Sequence, residues 1–155
     1  MKLLRLGNKG KEKPAIIDND GNYRDLSKII SDFNPDTLNF ETIEKIKNIN
    51  PLDLPKIETS NRIGACVSKP SKFIGIGLNF SDHAAETGAK PPSEPIIFMK
   101  ATSSINGPND DIQLVSNSKK LDWEVELGII IGKETKHINK ENSQEHILGY
   151  CLVND

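Results

Sequence analysis

The stretch from Leu121 to Ile131, LDWEVELGIII, constrains this chain more than any other. Its second half is as apolar as a core strand, with no polar alternation, so a strand buried on both faces is expected there. Side chains in a strand alternate between faces, so Glu124 and Glu126 point one way with Gly128. Trp123, Val125, Leu127 and Ile129 point the other way. Two like charges on one strand face cost energy unless water or a cation compensates them. A solvated strand face is one reading. If the face is buried, the carboxylates need shared protons or a cation, and oxygen ligands suit a hard divalent ion, Mg²⁺ above all.

The rest of the composition narrows the function classes. A chain of 155 residues is long enough for a real core. Its 20 basic and 22 acidic residues leave a formal charge of −2, and no basic run is interleaved with aromatics, so no nucleic-acid partner is expected. The longest apolar run, 127–132, is too short to span a bilayer. The opening MKLLRLGNKGKEK reads as an edge strand and turn rather than a signal peptide, so a cytoplasmic location is the expectation. Cys66 and Cys151 have neither CxxC nor zinc spacing and read as two buried thiols acting as small hydrophobes.

The pattern along the chain is α+β and mostly β. KLLRLG and KPAIIDNDGNYRDLS read as two strands and a hairpin turning at Asp20-Gly21. Asp25 or Ser27 is placed to cap a helix through Ile30, and a second helical pattern runs from Phe40 to Ile49. These elements form a small N-terminal α/β unit over 1–58, followed by a proline-dotted connector over 59–71 and a further domain over 72–155. In that domain, KFIGIGLNF is a short strand and SDHAAETG a helix, with Ser81 or Asp82 as cap and Gly88 as stop. Strands are expected at Ile96, through IQLV, in the quoted stretch and from Tyr150 to Asn154. A polar helical segment is expected before the last of these. No regular βαβ alternation appears, which argues against a doubly wound sheet.

Three further positions could carry chemistry. His83 and Glu86 are three apart on the short helix and share a face, the arrangement by which a carboxylate orients an imidazole as general base. The plainer reading is a surface His beside a surface Glu. Lys100 ends the run IIFMK, where it either snorkels at a strand end or faces an anionic substrate. His137 and His146 have no partners at useful spacing.

Taken together, IGIGLNFSDHAAETG, EPIIFMK, SSINGPND, KLDWEVELGIIIGK and GYCLVND follow the order and approximate spacing of the fumarylacetoacetate hydrolase family, which the chain resembles along its whole length. The resemblance is closest to the branch of 2,4-diketo-3-deoxy sugar-acid hydrolases and sequences labelled ureidoglycolate lyase. It implies the first half of a mixed β-sandwich roll, with Glu124, Glu126 and Asp155 as metal ligands for Mg²⁺, or alternatively Mn²⁺ or Ca²⁺. It implies His83 and Glu86 as the general-base dyad and Lys100 as the lysine of the family's F-x-K step. Asn79 stands where larger members have a further carboxylate ligand, and Phe80 where many have Tyr. The implied reaction is hydrolysis of a carbon–carbon bond in a 2,4-diketo, acylpyruvate-like acid. Isomerase, decarboxylase or ureidoglycolate lyase chemistry on an oxo acid is the alternative within the family. A metal- or oxo-acid-binding module without catalysis is the alternative outside it. Family members are commonly homodimers.

The family's catalytic domain continues well past VND, whereas this sequence stops at Asp155. The expectation is therefore a split, frameshifted or partial family member, impaired alone, with a separate chain as one source of the missing C-terminal half. A strand that ends without its neighbours should leave apolar surface and an unpaired edge exposed.

Overall fold

In the computed structural model, which describes residues 1–58 and 61–155, the N-terminal hairpin forms where alternation and turn residues ask for it. β1 (Lys2–Leu6) pairs antiparallel with β2 (Lys13–Ile17), placing Leu4 opposite Ala15 and Leu3 opposite Ile16. Asp18 organises the next turn, accepting hydrogen bonds from the backbone N–H groups of Asp20 and Asn22, while Gly21 takes φ +81°. β3 (Tyr23–Asp25) and β4 (Lys56–Ile57) complete an antiparallel sheet in the order β1-β2-β3-β4. β1 is an edge strand, as the sequence suggests.

The sheet separates two apolar clusters. Ile16, Leu26, Ile30, Phe33 and Ile46 form one, with Leu3, Leu38 and Leu54 packed on it; Leu4, Leu6 and Ala15 form the other. Ile46 comes from α1 (Phe40–Lys47), whose N-cap Asn39 accepts from the N–H of Thr42 at 2.9 Å. The helix expected through Ile30 is instead a single turn: Ser27 N–H binds the Asp25 carboxylate, and Ile29 and Ile30 N–H groups bind the Leu26 carbonyl. The Asx-type bond satisfies the backbone locally without propagating a helix.

A charge network fastens later chain onto this sheet. Arg5, itself buried, holds Asp32 with two hydrogen bonds of 2.6 and 3.0 Å and reaches Glu12 at 3.2 Å. Arg62 binds Glu12 at 2.8 Å and forms a two-pronged pair with Asp110, in which Nε donates to Oδ1 at 2.6 Å and Nη2 to Oδ2. Ser68 Oγ–H donates to Asp32, and Gly107 N–H to Asp110. Every buried side-chain polar atom among the described residues has a partner.

Residues 1–68 and 106–155 form one compact unit and residues 69–105 another. In the first, β7 (Val125–Ile131) and β8 (Ile147–Asn154) make a two-stranded antiparallel ribbon. Its base meets α1, where the Lys133 ammonium lies 5.9 Å from the centre of the Phe40 ring. In the second unit, β5 (Ile74–Gly77) pairs antiparallel with β6 (Ile96–Met99), and α2 (Ser81–Glu86) lies between them in sequence. The Phe98 ring covers Gly75 so closely that a Cβ there would lie 2.3 Å from it.

Several expectations need correction. No strand forms through Ile112–Val115, whereas the helical segment expected before the last strand is present as a 3₁₀ helix over Lys140–His146. α2 begins after Phe80, and neither Ser81 nor Asp82 caps it, because Asp82 turns its carboxylate to the neighbouring His83 N–H. Gly88, with φ +68°, does end it. Of the connector expected over 59–71, Thr59 and Ser60 lie outside the described residues. The cysteines are not two buried hydrophobes: Cys66 is exposed and Cys151 half-buried. Nor is β7 buried on both faces, since Val125 is 74% exposed and Leu127 56%. Among the described residues β7 pairs with β8 alone and nothing covers the outward apolar face.

Candidate functional site

The acidic residues stand at one end of the β7–β8 ribbon. Register pairs Val125 with Asn154 and Glu126 with Val153, and Asp155 N–H continues the ladder by binding the Glu124 carbonyl at 2.8 Å. Glu124 and Asp155 therefore sit opposite each other, with Glu126 two residues along β7, and strand alternation sends all three to the same face. Asn154 reinforces this end by accepting the Glu124 N–H on its side-chain oxygen at 3.0 Å. The shared face is the more sheltered one: Glu126, Gly128, Ile130, Cys151, Val153 and Asp155 are all half-buried along it. The outer face carries Val125, Leu127, Ile129, Ile131, Tyr150 and Leu152, all exposed.

Close packing on the inner face fixes its shape. Gly128 lies opposite Cys151, and a Cβ at Gly128 would fall 2.6 Å from Cys151 Sγ and 2.8 Å from a Val153 methyl. Glycine at this position lets the cross-strand side chains lean over β7 just beyond Glu126.

Three carboxylates of one strand pair, sharing a face, are the donor type that a hard divalent cation takes. The donor chemistry and the register fit such an ion. The oxygens themselves are not drawn into a ligand cluster, and no group of three potential ligand side chains is gathered among the described residues.

His83, Glu86 and Lys100 belong to the other compact unit. His83 and Glu86 lie on α2, three residues apart and both exposed, on a common helix face. No hydrogen bond joins the imidazole to the Glu86 carboxylate among the described residues. The helix is held from behind instead: Thr87 donates from both N–H and Oγ–H to the His83 carbonyl, and Ala84 is buried. Lys100 follows β6, half-buried, with its N–H on the Phe73 carbonyl at 2.8 Å. A shallow open depression beside α1, bounded by Ile29, Asp36, Thr37 and Lys45, is lined by none of these six residues.

One grouping escaped sequence reasoning. The Arg5–Glu12–Arg62–Asp110 network spans about two-thirds of the chain, with no local spacing to announce it.

Comparison with known proteins shows the family. A family model described as fumarylacetoacetate (FAA) hydrolase C-terminal matches residues 72–155. Two relatives named "Putative hydrolase", from Burkholderia ambifaria strain MC40-6 and Burkholderia lata, are each 50% identical over the whole chain, which covers 55% of either. Among solved structures, a fumarylacetoacetate hydrolase from psychrophilic Exiguobacterium antarcticum superposes with TM-score 0.77 at 30% identity, over 100% of this chain and 55% of that one. An HpcE-type protein from Mycobacterium smegmatis gives TM-score 0.77 at 28% identity. The chain thus spans about half the length of the relatives it matches, and its mostly β fold corresponds to half of theirs. No helix among the described residues is long and apolar enough to cross a membrane. The stretch carrying both Glu124 and His83 falls within the matched residues, and the chain belongs to the fumarylacetoacetate hydrolase family.

Proposed function

We propose that this chain contributes the metal-ligand strand pair and the general base of an enzyme that hydrolyses a carbon–carbon bond in a 2,4-diketo acid of the acylpyruvate type. The observation supporting this most is the register that sets Glu124 opposite Asp155, with Glu126 on the same face, inside the matched residues. Glu124, Glu126 and Asp155 would hold Mg²⁺, with Mn²⁺ or Ca²⁺ as substitutes. Such an ion supplies Lewis acidity toward the carboxylate and 2-oxo oxygens of an oxo acid.

The remaining roles belong to side chains. His83 takes a proton from water at an imidazole nitrogen, and the water oxygen attacks the distal carbonyl of the diketo acid. Glu86, one helical turn on, orients the ring; a catalytic hydrogen bond of this kind often tightens only with substrate in place. Lys100 offers positive charge to an anionic substrate. The location proposed for this chemistry is the cytoplasm, as expected for a small organic-acid substrate.

The open outer face of β7–β8 bears on activity. We propose that turnover requires polypeptide equivalent to the remaining length of the relatives, in the same chain or a separate one. The test is hydrolysis of an acylpyruvate, followed by loss of its enol absorbance, with this chain co-expressed alongside that segment of a relative. Magnesium-dependent turnover that His83→Ala abolishes is expected. Turnover unchanged in His83→Ala would refute the role of the imidazole.

A further inference from the structure

The sequence contains one Asn-Gly pair, Asn106-Gly107. Asparagine followed by glycine is the pairing most open to ring closure, because no Cβ hinders the next main-chain nitrogen from reaching the side-chain carbonyl carbon. In this chain both partners are held. Asn106 Nδ2 donates to the Asp111 carbonyl at 3.1 Å, and Asn106 Oδ1 accepts from Lys9 Nζ at 3.2 Å. The Gly107 N–H donates to Asp110 Oδ2 at 2.8 Å. That carboxylate is itself fixed. The Arg62 guanidinium grips both of its oxygens and also donates to Glu12 and to the Gly7 carbonyl.

Gly107 has little freedom to turn toward the side chain before it. It is buried, a Cβ on it would fall 2.5 Å from the Ile63 carbonyl oxygen, and Ile63 bridges to Leu6 of β1. Pro108 follows and restricts the glycine backbone further. We infer that Asn106-Gly107 is a latent self-modification site, at which Asp110, clasped by Arg62, latches the Gly107 N–H away from ring closure, and release of the latch converts Asn106 through a succinimide to an aspartyl or isoaspartyl residue. The carboxylate acts as a latch rather than a base. Arg62 and the Gly107 N–H hold Asp110 down at about 2, so it has little pull on the amide proton.

The chemistry balances with water as its only co-reactant. The Gly107 nitrogen bonds to Asn106 Cγ, the Cγ–Nδ2 bond breaks, and the Gly107 amide proton leaves with the side-chain nitrogen as ammonia. The five-membered succinimide then takes up one water. Attack at Cγ restores the original main chain and leaves a carboxylate side chain. Attack at the main-chain carbonyl carbon of Asn106 leaves the peptide running through the side chain, one carbon longer. Either product adds negative charge to a segment that already carries Asp110 and Asp111. The longer one also shifts Gly107 off its seat against Ile63. Asn106 is where the chain re-enters the first compact unit. This inference does not depend on the hydrolase reading.

The experiment incubates the purified chain in mildly alkaline buffer and follows the peptide that contains residues 106–111 by mass spectrometry. It reads replacement of the side-chain NH₂ by OH, and the isoaspartyl product by its separate elution. Folded wild type should convert slowly, and the same chain in urea about tenfold faster or more, the scale of one hydrogen bond to a charged acceptor. Asp110→Ala should speed conversion in the folded chain by about tenfold to a hundredfold. Asp110→Asn, whose amide oxygen can still take the Gly107 N–H, should fall between wild type and Asp110→Ala. Asn39→Ala weakens the fold elsewhere and should keep the wild-type rate, which separates local release from global unfolding. Equal rates for folded and urea-unfolded wild type, or for wild type and Asp110→Ala, would overturn the latch. So would a rate below wild type in either Asp110 variant, which would make the carboxylate a base, or an Asn39→Ala rate as high as that of Asp110→Ala.

Discussion

Glu124 and Asp155 face each other across the last rung of a two-stranded ribbon, with Glu126 two residues along, so three like charges share one face without being gathered into a cluster. Glu124→Gln with Glu126→Gln should therefore abolish Mg²⁺ binding and leave the metal-free chain as stable or more stable in thermal denaturation. Elsewhere, carboxylates are compensated by arginine. Burial opposes ionisation of Glu12 and Asp32, but Arg62 and Arg5 outweigh it and hold both below the usual carboxylate range. The Arg62 guanidinium and the Gly107 N–H lower Asp110 to about 2. Because these folded-state values are depressed, their stabilisation is complete above the ordinary carboxylate pKa of about 4 and is lost as pH falls through the folded values. The thermal midpoint should be level from neutrality to about pH 5 and fall steadily toward pH ~2, less steeply in Arg62→Ala. A midpoint indifferent to acid over that window would argue against the network. Arg5→Ala leaves Asp32 and Glu12 short of their buried partner and should cost about 3–5 kcal/mol in urea denaturation.

At the scale of elements, much was legible and the failures have physical causes. The β1–β2 hairpin, the Gly21 turn, α1, the Gly88 stop and the alternation of β7 follow from local periodicity and turn chemistry. The helix through Ile30 did not form, because Asp25 spends its carboxylate on an isolated turn. The IQLV strand did not form, although the segment has the right side chains; a strand also requires a neighbour, and none pairs with it among the described residues. The acidic face was legible from the spacing of Glu124 and Glu126, but pairing with Asp155 depended on β8 register, which a single strand does not encode. Close approaches are likewise invisible before folding. A Cβ at Gly107 would lie 2.5 Å from the Ile63 carbonyl oxygen, so Gly107→Ala should destabilise the chain by about 1–3 kcal/mol. Asn39→Ala, which removes the α1 cap, should cost about 1 kcal/mol. Urea midpoints equal to wild type for either variant would contradict the packing or the cap.

Across the whole molecule, the chain holds a buried N-terminal core alongside sheet faces that remain open. Trp123 and Leu152 are each 81% exposed, and the β7–β8 outer face is apolar along its length. Faces of this kind promote association. The chain alone should bind a hydrophobic dye and self-associate; Leu127→Lys with Leu152→Lys, or co-expression with the remaining segment of a relative, should suppress both. Light scattering that stayed monomeric and unaffected by these changes would speak against a face built to be covered. The central functional claim concerns the opposite face, and it can be tested without turnover. Isothermal titration of the chain with MgCl₂ should give saturable binding that is lost in Glu124→Gln with Glu126→Gln and retained in His83→Ala. Equal Mg²⁺ affinity in wild type and the double glutamine variant would contradict it.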